Sequence, residues 1–320
     1  MNFVHEDPEF EDLLRIVSEK RKFSRGIIEK DYWVTHALWS LHQAGFDVWF
    51  KGGTSLSKGF NLIERFSEDL DLKIEPGNVS ALPKVSNWKS ESARAVRERK
   101  RYFERLSELI SVSGARIALD PGSIDRAWRN ADILVHYPGH HLTELGDAMS
   151  QFIRLEVGNA HVTPFISRDM TSFVHENLAE QNQIRQFTDN RPKGVRCVHP
   201  LMTLFEKLDA LHRRFPNENA EPATFIRHYE DMARIITSAA QLPPLTDHMD
   251  AQALAMEMLE QKQIALLPTS SNPALVPTAE SRWASLRRAH SAIESMFWGP
   301  RVPLEDACAT IRAWVRDAFE

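Results

Sequence analysis

The alternation of apolar and polar residues divides the chain into a mixed first part and a helical second part. Residues 8–45 read as helices: Pro8 to Leu14 opens one, and Ile27 to His42 forms another with apolar residues at helical spacing, closed by Gly45. A short apolar run, Val48-Trp49-Phe50, ends at Lys51. A helical pattern from about Leu56 to Phe66 then leads into the alternating segment Leu70-Asp71-Leu72-Lys73-Ile74. Residues 88–112 predict a long basic helix in which Arg94, Arg97, Arg101 and Arg105 share one face. Strand periodicity returns in residues 115–137, a hairpin-like pair, and in Phe152 to Val157, where Arg154 and Glu156 face away from Ile153, Leu155 and Val157. From Pro200 onward the pattern is helical, over 201–215, 222–241, 248–264 and 278–298. The elements predict an α+β chain: a mixed sheet with N-terminal helices in residues 1–195, and a helical domain over residues 196–320.

Composition changes this picture little. With 320 residues, 42% hydrophobic and 26% charged, the chain can bury a sizeable core and has the make-up of an ordinary globular protein. No apolar run approaches a membrane span, and Met1-Asn2-Phe3-Val4-His5-Glu6 does not read as a signal peptide. Two cysteines, Cys197 and Cys308, cannot build a disulfide framework, so the expected setting is the reducing cytoplasm. A net charge of −5 excludes a global nucleic-acid footprint, and any RNA contact must use local patches such as the arginine face of 88–112. The same face also reads as a solvated surface with internal Glu–Arg pairs.

The chemistry concentrates between Trp49 and Ile74. Gly52, Gly53, Thr54 and Ser55 follow the first strand, and glycines let a backbone approach an anion without a Cβ in the way. Asp69 and Asp71, two apart on a strand, converge on one face while Leu70 and Leu72 turn inward. Hard cations such as Mg²⁺ take one or two carboxylates completed by phosphate oxygens. Either half alone reads equally as a capped turn or a solvated loop. In this order, about fifteen residues apart, they point to a metal–triphosphate site, and neither a Walker A loop nor Gly-x-Gly-x-x-Gly is present. Glu156 would join as a third carboxylate if its strand neighbours the Asp-x-Asp strand. Lys51 and Lys58 could add positive charge, and Lys30, in the Glu29-Lys30-Asp31 cluster at the start of its helix, could face a phosphate.

Over roughly residues 24–240 the chain resembles the AbiEii/AbiGii nucleotidyltransferase toxins, a family that includes the MenT-like tRNA nucleotidyltransferase toxins. The resemblance rests on Glu29-Lys30-Asp31-Tyr32, Phe50-Lys51-Gly52-Gly53-Thr54-Ser55-Leu56-Ser57-Lys58, Arg65-Phe66-Ser67-Glu68-Asp69-Leu70-Asp71-Leu72, Glu206-Lys207-Leu208-Asp209-Ala210-Leu211 with Arg214, and Arg227-His228-Tyr229-Glu230-Asp231. The last departs from the family's Arg-Asp-x-x-Asp, with His228 where the first Asp stands. The resemblance implies a polymerase-β-like nucleotidyltransferase fold. It implies that Asp69 and Asp71 hold Mg²⁺ or Mn²⁺, and that Gly52, Gly53, Thr54, Ser55 and Lys58 seat the NTP. Lys207 would neutralise phosphate charge or assist proton transfer, with Glu156 and Asp231 completing the catalytic set. It further implies transfer of a nucleoside monophosphate to an acceptor hydroxyl, with an RNA, the tRNA 3′ end, as acceptor, and a cognate antitoxin as partner. A metal-dependent glycosyltransferase also uses Asp-x-Asp but expects a larger nucleotide-binding sheet before the motif. A non-catalytic binding protein on the same scaffold is the third reading.

Overall fold

The computed structural model describes every residue except 68, 146–148 and 246–249. Glu68 and the first two residues of the helix expected over 248–264 therefore lie outside the described residues. Helices α1 (Phe10–Arg21) and α2 (Arg25–Gln43) open the chain. Ser24 caps α2 by accepting from the Ile27 amide, and Gly45, at φ +89°, turns the backbone behind it. Strand β1 (Asp47–Lys51) runs into a helical turn α3 (Gly52–Thr54), a π-wound turn over Ser55–Gly59, and an irregular stretch before β2 (Asp69–Glu75). Next come α4 (Ala93–Leu109), β3 (Arg116–Asp120), β4 (Asn130–His136), β5 (Ile153–Gly158), β6 (Phe165–Arg168), α5 (Phe173–Glu180) and β7 (Val195–Val198). The remainder is helical: α6 (Pro200–Arg214), α7 (Arg227–Thr237), α8 (Ala251–Glu260), α9 (Ser281–Ala292) and α10 (Leu304–Phe319).

The seven strands form one mixed sheet in the order β3-β4-β5-β2-β1-β7-β6. β2 lies antiparallel to β1 and parallel to β5, while β1 is parallel to β7. One face is apolar: Val48, Phe50, Leu70, Leu72, Ile74, Ile133, Leu155 and Val157 are all buried. Their alternation with half-exposed polar residues fixes the register, since a one-residue slip would turn each of them to solvent. Two compact units result. One comprises Met1–Gly59, Ser67–Ala160 and Ser167–Cys197; the other comprises Phe60–Phe66, His161–Ile166 and Val198–Glu320. In the first, α2 packs against α1 and α5 and is buried nearly all round. In the second, α7 packs against α6 and α10.

Several local expectations are corrected. The helix expected over Leu56–Phe66 stops at Gly59. Asn61 adopts φ +53°, and Arg65 is drawn into an antiparallel bridge with Phe297, so tertiary pairing holds this stretch extended. Because α2 begins at Arg25, the Glu29-Lys30-Asp31 cluster lies one turn deeper than a first turn and is buried. Lys30 donates to the Ser150 carbonyl and cannot face a phosphate in this arrangement. Arg94, Arg97, Arg101 and Arg105 are exposed, with Arg94 paired to Glu98 and Arg105 to Glu108. Their neighbour Arg99 is fully buried and donates to the carbonyls of Asn87, Trp88, Ser90 and Ala127, tying the preceding loop to α4. Strands β6 and β7 and helices α5 and α10 lie outside the elements that the sequence pattern predicts. Among the described residues no helix is long and apolar enough to cross a membrane.

Candidate active site

The polar face of the sheet carries a row of charge. On β2, Asp69 and Asp71 alternate with buried Leu70 and Leu72 and so emerge together. The parallel neighbour β5 sets Glu156 opposite Asp71 and Arg154 opposite Asp69. β4 places Asp132 opposite Glu156, β3 places Asp120 opposite Asp132, and β1 places Lys51 opposite Asp71. Five strands thus align Asp120, Asp132, Glu156, Asp71 and Lys51, four acids ending in a lysine. Directly opposed residues on a sheet face lie about 5 Å apart, close enough for strong like-charge repulsion.

The glycine turn is shaped around Asp71. Gly52 has φ +74°, and a Cβ there would stand 1.7 Å from Asp71 Oδ2 and 2.6 Å from its Cγ. Only a residue without a side chain fits both the backbone and the carboxylate. Gly53 is buried within the same turn. The Thr54 hydroxyl donates to the carbonyls of Asp69 (2.6 Å) and Ser67 (3.0 Å), stitching the turn to the start of β2. Ser55 is buried beside the Cys197 thiol, and burial pushes that thiol up to about 12. Lys58 pairs with Asp31 at 2.5 Å and also donates to Thr35 Oγ1 and the Thr171 carbonyl. The side chains of Thr54 and Lys58 are therefore engaged in holding the turn.

Glu156 is pushed up to about 8, by the protein packed around its carboxyl and by the charges of Asp71, Asp69 and Asp132. Its side chain nonetheless remains open to solvent, so like-charge repulsion, which needs no burial, is the sturdier cause. The row is a region of strongly negative potential that favours a cation. Arg154 supplies part of that charge, 2.5 Å from Asp132 and 3.6–3.7 Å from Asp120 and Asp69. Among the described residues, no group of three or more His, Cys, Asp or Glu side chains forms a ready-made metal cage. The donor set instead fits a hard cation that takes one or two carboxylates and completes its shell from phosphates and water.

Lys207 and Asp231 belong to the second unit, where they meet. Asp231 is fully buried, and Arg65 grips it through Nε and Nη2, both at 2.8 Å. Lys207 Nζ stands 2.9 Å from its Oδ2 and 3.3 Å from His228 Nδ1. Burial alone would raise the Asp231 carboxyl, but Arg65 and Lys207 hold it well below the usual range. Burial and the Lys207 charge push His228 well down, leaving it neutral, so its Nδ1 accepts from the ammonium.

The chain matches the family model of the nucleotidyl transferase AbiEii toxin, of type IV toxin–antitoxin systems, over residues 37–299. It belongs to the AbiEii nucleotidyltransferase toxin family. Nucleotidyl transfer is the activity of that family, and an antitoxin partner is implied by its place in toxin–antitoxin systems. A solved structure similar to the chain is the nucleotidyltransferase toxin MenT4 of Mycobacterium tuberculosis H37Rv. The two are 13% identical, the match covers 95% of this chain and 97% of that one, and the TM-score is 0.41. No curated protein matches the chain.

Within this AbiEii-family chain, sequence reasoning misses Asp120, Asp132 and the pairing of Arg65 with Asp231. Asp132 alternates with buried Ala131 and Ile133, a signal the sequence does carry; only strand order shows that it meets Glu156. Arg65 lies within a quoted motif, but nothing local links it to a residue 166 positions away.

Proposed function

We propose that this AbiEii-family chain transfers a nucleoside monophosphate from an NTP to an acceptor hydroxyl, releases pyrophosphate, and uses an RNA, the tRNA 3′ end, as acceptor in the bacterial cytoplasm. The observation that carries the reading is the placement of Glu156 directly opposite Asp71, with Asp69 on the same face and Gly52 cut away to admit the Asp71 carboxylate. Mg²⁺ or Mn²⁺ held by Asp69 and Asp71 would neutralise phosphate charge and orient the triphosphate for in-line attack. Glu156 serves as the third carboxylate of the set. The Gly52-Gly53 turn lets the backbone come close to the triphosphate, beside Lys51. In the second unit, Asp231 and Arg65 hold Lys207, which the family resemblance assigns to the phosphates or to proton transfer. A cognate antitoxin restrains the activity in the cell.

The test combines purified protein, Mg²⁺, each of the four α-labelled NTPs in turn, and total bacterial RNA, with Asp71→Ala as the blank. Label on a tRNA-sized band, absent from Asp69→Ala and Asp71→Ala although both unfold at native denaturant concentrations, is the expected result. Label that persists in either variant would remove the metal-site assignment. Label on the protein itself would replace RNA by a protein acceptor.

A further inference from the structure

Arg154 is held unevenly. Its Nη1 lies 2.5 Å from Asp132 Oδ2 and 3.6 Å from Asp120 Oδ2, while its Nε stands 3.7 Å from Asp69 Oδ1. The guanidinium also lies over the Phe152 ring, 5.4 Å from its centroid. Burial would lower the Arg154 pKa, yet Asp132, Asp69 and Glu156 more than offset it, so the group is a fixed positive charge. The short contact is made to Asp132 and not to Asp69. The Asp69 contact exceeds hydrogen-bond length and is Coulombic attraction alone. Arg154 is directly opposite Asp69 on β2, yet its short contact runs diagonally to Asp132 on β4, two residues from Leu134, which pairs with Arg154.

We infer that Arg154 is a resident counter-cation of the carboxylate site, a positioning residue that screens Asp69 before metal arrives and is kept from closing on it by Asp132 and Asp120. This rests on the reading of Asp69 and Asp71 as metal ligands. A guanidinium free to close on Asp69 would compete with a dication for that oxygen. Anchored on Asp132 and stacked on Phe152, it lowers repulsion in the empty row and still gives Asp69 up. Arg154 and Asp132 therefore oppose one another in metal affinity.

The test is Mn²⁺ titration of the full chain without nucleotide, following the free-ion electron paramagnetic resonance signal, so no turnover enters. Arg154→Gln is expected to tighten the Mn²⁺ Kd roughly tenfold, the effect of removing one charge beside a dication in a solvated cleft. Arg154→Lys, which keeps the charge, stays near the native Kd. Asp132→Asn weakens binding several-fold, and this penalty shrinks in the Arg154→Gln background because the competing cation is gone. If Arg154→Gln leaves the Kd within twofold of native while Asp71→Asn abolishes binding, the inference is overturned and the metal reading stands. If Asp69→Asn and Asp71→Asn bind Mn²⁺ like the native chain, both fall. Should Arg154→Gln fail to fold, Asp132→Asn decides alone, and an unchanged Kd there overturns the inference.

Discussion

Replacing Gly52 with alanine separates the backbone's demand for glycine from the site's demand for space. At φ +74° an alanine incurs left-handed strain of about 1–2 kcal/mol. The new methyl would also stand 1.7 Å from Asp71 Oδ2, 2.6 Å from Cγ and 3.1 Å from Cβ. Since non-bonded atoms do not approach within about 3 Å, the carboxylate must move by more than an ångström, and a misplacement of that size costs roughly 100-fold in transfer rate. Gly194 provides the control, because it has φ +65° and nothing within 4 Å of the place a Cβ would take. Gly194→Ala should lose only the stability that this strain costs and transfer normally. Gly52→Ala should lose more stability than Gly194→Ala, the collision adding to the shared backbone strain, and at least 100-fold in single-turnover transfer from α-labelled NTP. In an Asp71→Ala background most of the collision disappears, so the stability penalty of Gly52→Ala should fall towards that of Gly194→Ala, a coupling read from urea unfolding. Transfer by folded Gly52→Ala within threefold of native would refute the claim that this glycine exists to seat Asp71.

Two further outcomes concern stability. Arg65→Met strips both 2.8 Å bonds from buried Asp231 and should cost about 3–5 kcal/mol in chemical unfolding; Arg94→Ala, at an exposed pair with Glu98, should leave the curve unchanged, and equal effects would sink the distinction. His36 and His175 are fully buried and held down to about 4, chiefly by burial, in a network running through Asn190. Both are neutral in the folded chain below an ordinary histidine pKa of 6.5, so the unfolded chain binds more protons as pH falls. Stability is full above about pH 6.5 and is lost towards pH 4, by roughly 2 kcal/mol per histidine at pH 5. A denaturant midpoint unchanged between pH 7 and pH 5 would contradict this.

What can be read in the sequence is what depends on near neighbours. Asp69 and Asp71 are two apart on one strand, and strand alternation alone places them on a common face. The hairpin of β3 and β4 and the strand carrying Glu156 emerge from period-two patterning. The order of strands does not emerge. β5 inserts beside β2 although some eighty residues separate them, and that parallel pairing turns Glu156 from one alternating acid into the partner of Asp71. Thr54 and Lys58 show what the residue types alone do not carry. They suit a phosphate, and the fold also engages them with the carbonyl of Asp69 and the carboxylate of Asp31. Those tertiary partners have no local signal. The short strands β6 and β7, four residues each, give too little alternation to register, whereas α10 carries buried Leu304, Ala307, Cys308, Ile311 and Val315 at helical spacing and is legible in hindsight.

His228 shows how a departure from a family pattern can preserve connectivity while changing charge. An aspartate at this position would give Lys207 a second anion beside Asp231. The histidine instead offers a lone pair at 3.3 Å and, held neutral by burial and by Lys207 itself, adds no negative charge. Within this group Arg65 and Lys207 therefore bring two positive charges against the single charge of Asp231. The ammonium has two partners, Asp231 at 2.9 Å and His228 at 3.3 Å, but is neutralised by one unit less than the family pattern provides. For the phosphate role proposed for Lys207, that change strengthens the field it offers an anion. The exchange of Asp for His at 228 is thus consistent with nucleotidyl transfer, since the acid it removes is a neighbour of the lysine and the buried partner of Arg65 is retained.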